Sequence, residues 1–191
     1  MPLSAMDTLP WGVNPHEVIW CGGDGITRQK LFYDRILAGA SHLVREVECF
    51  DFEEVTKLSR PSASITEVQD LIDRTEQEFS LLQICGIQTP PDITWHIFTD
   101  GSSGEARTLA RLPIIAGFPV AMYTDNGIQL HEYFVQRPKI VSRLQTAIAR
   151  YNSIPGKRLC DVSSLDQYVY GKPRGSQRND DFYLVDIEPM F

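Results

Sequence analysis

No stretch of this chain approaches the roughly 18 consecutive apolar residues that a helix needs to cross a membrane, so no membrane partner is expected. The opening segment, MPLSAMDTLPWGVNPHE, has neither a basic leader nor a sustained apolar run, which speaks against a secretory signal and for a cytoplasmic protein. Cysteine is scarce and scattered. Cys21, Cys49, Cys85 and Cys160 form no C-x-x-C pair, which excludes the spacing of a zinc ribbon or a thioredoxin-type motif. Three of them lie beside or within apolar segments, where a buried free thiol in a reducing compartment is expected. Positive charge is in deficit too: 18 Lys and Arg face 25 Asp and Glu, a formal net charge of -7. A phosphate backbone would be repelled overall, and nucleic acid is not an expected partner. The one basic stretch, Lys172, Arg174 and Arg178 with glycines between, reads as a solvated loop. Internal repeats and low-complexity tracts are absent as well, which excludes solenoids and propellers.

What remains is an ordinary globular composition, 42% hydrophobic and 10% aromatic over 191 residues, enough for one domain with a substantial core. Short apolar runs alternate with longer amphipathic ones. Val18 to Cys21, Val47 to Phe50, Ile93 to Thr99 and Val120 to Thr124 read as strands. Thr27 to Val44 repeats Phe32, Ile36, Ala40 and Leu43 at helical spacing. Ser64 and Glu67 form a capping box opening a helix marked by Val68, Leu71, Ile72, Phe79 and Leu82, which Gly86 and Pro90-Pro91 stop. A short helix is predicted through Leu109 and Leu112, and Pro138 opens a last one carrying Ile140, Val141, Leu144, Ile148 and Tyr151. Stacked βαβ units follow from this alternation. The expected fold class is α/β, a Rossmann-like three-layer sandwich with a mostly parallel sheet. Residues 1–15 read as an N-terminal tail, 16–153 as the α/β domain and 154–191 as a C-terminal extension packed on it or on a partner subunit. Within the extension, Gln167 to Tyr170 and Phe182 to Ile187 are strand candidates, able to extend the sheet antiparallel or to reach another subunit.

In a doubly wound sheet, ligands bind beyond the carboxyl ends of the strands. Two loops there are rich in glycine. Gly22-Gly23-Asp24-Gly25-Ile26-Thr27 follows the first strand but lacks the third glycine of G-x-G-x-x-G and any G-K-[ST], so no dinucleotide or other cofactor is expected. It is either a plain turn capped by Thr27 or an anion cradle. Gly101-Ser102-Ser103-Gly104-Glu105 follows the third strand. Ser102 with Glu105 is itself a capping box, and the same hydroxyls and amides would suit a phosphate. Asp100 and Asp125 each follow a Thr at a strand end, where two carboxylates could bind Mg²⁺, although their order and spacing fit a ribonuclease H-like set poorly.

The run Ile97 to Glu105, continued by Leu109, Gly117, Pro119-Val120 and Tyr123 to Asn126, resembles the core of the sugar isomerase (SIS) domain family. In that family a strand ends in an S-x-S-G-E-[TS] loop that binds a sugar phosphate, and a later strand ends near T-[DN]-N. The likeness takes in the Val18 to Phe50 unit and Gln129 to Val135, about two thirds of the chain. Gly101 stands where the family's first loop serine belongs and Ala106 where its threonine or serine belongs, which removes phosphate hydrogen bonds.

The resemblance implies a small anionic ligand such as a sugar phosphate, held by Gly23, Gly25, Thr27, Ser102, Ser103, Gly104 and Glu105. Aldose–ketose isomerase chemistry would need a base and a group to assist ring opening, and His131 with Glu132 is the closest pair. Domains of this family commonly pair, and the apolar tail residues Tyr168, Tyr170, Phe182, Tyr183, Val185 and Ile187 fit a homo-oligomer. The competing expectation is a non-catalytic acidic interaction or regulatory protein, for example one that neutralises a toxin, in which both loops are only turns.

Overall fold

The computed structural model describes residues 42–47, 64–99, 106–157, 159 and 162–185. The strands expected at Val18 and at Cys49-Phe50, and most of the helix from Thr27, lie outside them.

Two long helices form where local signals are strongest. Helix α1, Ile65–Cys85, starts at Ser64, whose Oγ accepts from the Glu67 amide at 3.2 Å while the Glu67 carboxylate accepts from the Ser64 amide at 2.8 Å. Such a reciprocal cap contributes about 1 kcal/mol. Gly86 ends the helix at φ 96°, a left-handed conformation that glycine adopts without strain. Between the caps, Val68, Leu71, Ile72, Thr75, Glu78, Leu82 and Cys85 form the buried stripe. The four-residue helix α2, Glu132–Val135, precedes α3, Pro138–Asn152, which has Pro at its first turn and buries Val141, Leu144, Ala147, Ile148 and Tyr151. Among the described residues, no helix is long and apolar enough to cross a membrane.

The strands overturn the expected fold. Strands β1 (His42–Val47), β2 (Thr94–Thr99) and β3 (Ala106–Pro113) form one sheet in the order β1-β3-β2, with every pairing antiparallel. A second sheet, β4-β7-β8, joins Ile115–Pro119, Tyr168–Pro173 and Asp181–Leu184, again antiparallel throughout. Between them in sequence, β5 (Ala121–Thr124) and β6 (Gly127–Leu130) make a hairpin. The only parallel contact among the described residues is the isolated bridge of Gln88 to Tyr183. Among the described residues the chain therefore forms no Rossmann-like sandwich with a mostly parallel sheet; they combine helices with small antiparallel sheets.

Two misread segments account for the difference. Ala106–Pro113 was expected as a helix through Leu109 and Leu112, yet it is the central strand β3, sharing its backbone groups with neighbours on both sides. A short helix is marginal by itself, and two ladders satisfy the same backbone groups better. With β3 a strand, the chain from Thr99 to Ala106 is far too short for a parallel crossover, so β2 and β3 must be antiparallel. The second segment is His42–Val47, whose first three residues were expected to complete a helix but pair with β3 instead.

The tail is built into this chain. Strand β7 lies between β4 and β8, and Gln88 covers β8 through bonds from its amide to the Phe182 carbonyl and from the Leu184 amide to its own carbonyl. The main core gathers Leu82, Ile87, Leu112, Ile114, Phe134, Leu144, Tyr151, Tyr168 and Phe182 from both long helices and the strands. Full burial of each large side chain contributes about 1.5–3 kcal/mol. On the other face of the second sheet, Ile115, Val169 and Tyr183 form a separate buried cluster.

One contact in that sheet requires glycine. Bonds from the Arg174 amide to Ile114 and from the Val120 amide to Tyr168 set the ladder so that Gly117 and Gly171 face each other as a pair without mutual hydrogen bonds. A Cβ on Gly117 would lie 2.6 Å from Gly171 Cα, and one on Gly171 would lie 2.7 Å from Gly117 Cα.

Candidate functional site

Of the residues implicated by the sugar isomerase resemblance, Gly23, Gly25, Thr27, Ser102, Ser103, Gly104 and Glu105 lie outside the described residues, as does Asp100. Their flanks are informative nonetheless. Thr99 pairs with Ala106, and the element beginning at Ala106 is a strand. The helix that Ser102 and Glu105 were expected to cap, whose amides would have faced a phosphate, does not follow them.

His131 and Glu132 are described, and a structural task accounts for His131. It is the N-cap of α2, with Nδ1 accepting from the Tyr133 amide at 3.1 Å, so the ring proton of the neutral imidazole resides on Nε2. The imidazole is half-buried, its centroid 5.6 Å from that of Phe118 and 6.4 Å from that of Phe134. Glu132 is exposed in the first turn of the same helix, where a carboxylate complements the helix dipole. Asp125 occupies the β5–β6 turn. There Thr124 Oγ1 donates to the Gly127 carbonyl at 2.8 Å and accepts from the Asn126 amide at 3.2 Å. Among the described residues no group of three or more His, Cys, Asp or Glu side chains could hold a metal ion.

The structure assembles instead a row of rings. Phe182 of β8 lies 4.9 Å from Tyr170 of β7, and Tyr170 lies 6.4 Å from Tyr133 of α2. Tyr133 stacks on Phe118 of β4 at 4.2 Å with only 10° between planes. The Arg137 guanidinium carbon sits 4.0 Å from the Tyr133 centroid, and its Nη1 donates to the Tyr133 carbonyl at 2.7 Å. Tyr133 thus contacts both the Phe118 ring and the Arg137 guanidinium. Phe118, 43% exposed, ends the stack, with the His131 ring 5.6 Å from its centroid. The stack contributes about 0.5–1.5 kcal/mol and the cation–π contact about 0.5–1 kcal/mol at such an exposed position.

At the other end, Arg143 lies 5.3 Å from the Phe182 ring and forms an ion pair of 2.9 Å with Asp181. Among the described residues Arg137, Lys139 and Lys172 make no ion pair. Sequence reading missed this cluster because its members come from four elements, β4, α2, β7 and β8, spread from Phe118 to Phe182. The sole local signal is the four-residue separation of Tyr133 and Arg137, which spans the end of α2 and the residue before α3.

The buried polar groups serve the fold. Tyr151 donates to Glu78, Thr75 Oγ1 donates to the Leu71 carbonyl at 2.7 Å, and Tyr168 donates to the Val162 carbonyl. Burial pushes the Tyr168 phenol well above the ordinary phenol range, which keeps it protonated as a donor.

No family model, curated protein or solved structure matches the chain, so its site is defined by its own geometry.

Proposed function

We propose that this chain is a non-catalytic interaction protein whose docking surface is the Phe118–Tyr133 stack braced by Arg137. The observation that carries this reading is the exposure of Phe118 on a ring pair already held in place: Phe118 is 43% exposed, yet stacked on Tyr133 at 4.2 Å. Aromatic residues and Arg are the types that dominate binding energy at protein interfaces. Rings fixed before binding lose little rotamer freedom on association. The sugar-phosphate reading drew on a helix start after Glu105, and the strand Ala106–Pro113 takes its place.

The test is affinity capture with the full chain as bait, followed by calorimetry on whatever is captured. A specific partner is expected to be retained by the parent and by Ile84→Ser, which alters an isoleucine 79% exposed on α1. Phe118→Ser and Arg137→Ala are each expected to weaken it by about tenfold or more. A partner held equally by all four proteins would move the docking surface elsewhere.

A further inference from the structure

We propose, resting on the docking reading above, that the platform takes an acidic peptide segment bearing an aromatic residue. The partner's ring stacks on Phe118 while its carboxylates meet Arg137, Lys139 and Lys172.

Of the stacked pair, Phe118 is exposed and Tyr133 half-buried, so Phe118 is the ring a partner reaches. Tyr133 already contacts Phe118 at 4.2 Å and Arg137 at 4.0 Å, whereas Phe118, with the His131 ring 5.6 Å from its centroid, is 43% exposed. A planar side chain continuing the stack has its place there.

The surroundings are cationic. Arg137 uses Nη1 on the Tyr133 carbonyl, and a guanidinium has five donors in a fork that matches a carboxylate. Lys139 is exposed in the first turn of α3. Lys172 pairs with Ala116 just as Tyr170 pairs with Phe118, so the period of two sets Lys172 on the same sheet face as the rings. The first turn of α3 carries no acidic residue and its start has no side-chain cap, so the helix dipole adds to this positive field. Glu132 borders the patch beside Tyr133, and the β7–β8 register sets Asp180 opposite Lys172; Arg137, Lys139 and Lys172 make no ion pair among the described residues.

This corner contrasts with the rest of the chain. The net charge is -7, and α1 alone carries Glu67, Asp70, Asp73, Glu76 and Glu78 against Arg74. A short acidic segment meets the local positive field. A nucleic acid, which needs many phosphate contacts, meets the repulsion of the whole.

The experiment is fluorescence anisotropy with the full chain and three labelled probes: a random copolymer of glutamate and tyrosine, a glutamate homopolymer, and an oligothymidylate. The copolymer is expected to bind at least about tenfold tighter than the homopolymer, with little binding of the oligothymidylate. Phe118→Ser should reduce copolymer affinity about tenfold, and Arg137→Glu and Lys172→Glu should each reduce both affinity and its dependence on salt. Lys172→Glu leaves the stack untouched, so it reports on charge even if the Arg137 variant is destabilised. Failure of the copolymer to bind, equal binding of the two polypeptides, or oligothymidylate binding as tight as the copolymer's overturns the proposal. So does a dimer in sedimentation that Phe118→Ser dissolves, because the platform would then serve a second copy. A captured partner that depends on Phe118 but is indifferent to salt and to Arg137→Glu keeps the docking reading and removes the acidic class. Loss of any dependence on Phe118 removes both.

Discussion

Tyr151 donates a 2.7 Å hydrogen bond to Glu78 Oε2 and so joins the two long helices across 73 positions of sequence at a point where both residues are buried. Helix α3 meets α1 again one end further on, where Ala147 Cβ stands 3.8 Å from the place a side chain at Gly86 would begin. Because a buried carboxyl group is costly without a partner, this contact ties the helix pairing to one register. Tyr151→Phe should therefore cost about 1–3 kcal/mol in urea denaturation. At about 2–4 °C per kcal/mol for a chain of this size, the melting temperature should fall visibly. Glu78→Gln, which keeps an acceptor, should cost less. Equal losses for the two variants would show that charge rather than the hydrogen bond is what the site requires.

Gly117 and Gly171 make a second constraint, of shape rather than polarity. Gly171→Ala would press a methyl group onto the β4 backbone, 2.7 Å from Gly117 Cα, and Gly117→Ala is its mirror case at 2.6 Å. Each is expected to cost more than about 2 kcal/mol, in the range of overpacked cores. Gly127→Ala is the control: at φ 91° with nothing within 4 Å, it should cost about 1 kcal/mol from backbone strain alone. Thermal melts of the three variants check the order.

His131 is a cap by geometry, and substitution can separate that task from acid–base chemistry. His131→Ala should lose about 1 kcal/mol of stability, and His131→Asn, a good cap, should recover most of it. Calorimetric unfolding of both variants is the measurement. An asparagine variant no better than alanine would mean that the ring contacts with Phe118 and Phe134, rather than the bond to the Tyr133 amide, hold α2.

Tyr168 predicts a pH dependence with a definite sign. Its folded-state phenol is raised above the ordinary value by burial, so above about pH 10 the unfolded chain releases a proton that the folded chain keeps. Stability linked to this group is complete below about pH 10 and falls as pH rises toward the raised value, with a slope near 1.4 kcal/mol per pH unit for one proton. Tyr168→Phe should be less stable at neutral pH, having lost the bond to Val162, yet show a flatter decline under alkali. Urea titrations at several alkaline pH values compare the two slopes, and parallel curves would contradict the assignment.

The candidate site shows where reading the sequence stops. Tyr133 and Arg137 are four residues apart and could be paired from the sequence, but Phe118 reaches Tyr133 only because β4, β7 and the short α2 converge. His131 was visible as a polar residue near a strand end, while its use as a cap depended on a helix of four residues that no periodicity announces. The glycine pair in β4 and β7 was equally hidden, because each glycine has meaning only opposite the other.

By itself the sequence determined the elements whose signals lie within a turn or two of chain. Ser64 and Glu67 start α1, Gly86 ends it, Pro138 starts α3, and Ile93 to Thr99 contains β2, each from contacts between near neighbours. The strand candidates of the tail also correspond to β7 and β8 in large part. Tertiary structure alone decided which strands pair and in which direction. An apolar strand reads the same whether its neighbour runs parallel or antiparallel, since both ladders satisfy the same backbone groups. Ala106–Pro113 carries a pattern compatible with a short helix, and only the two ladders it shares with β1 and β2 make it a strand. Once that element changes, β2 and β3 pair antiparallel, no parallel sheet forms among the described residues, and a strand rather than a helix follows Glu105.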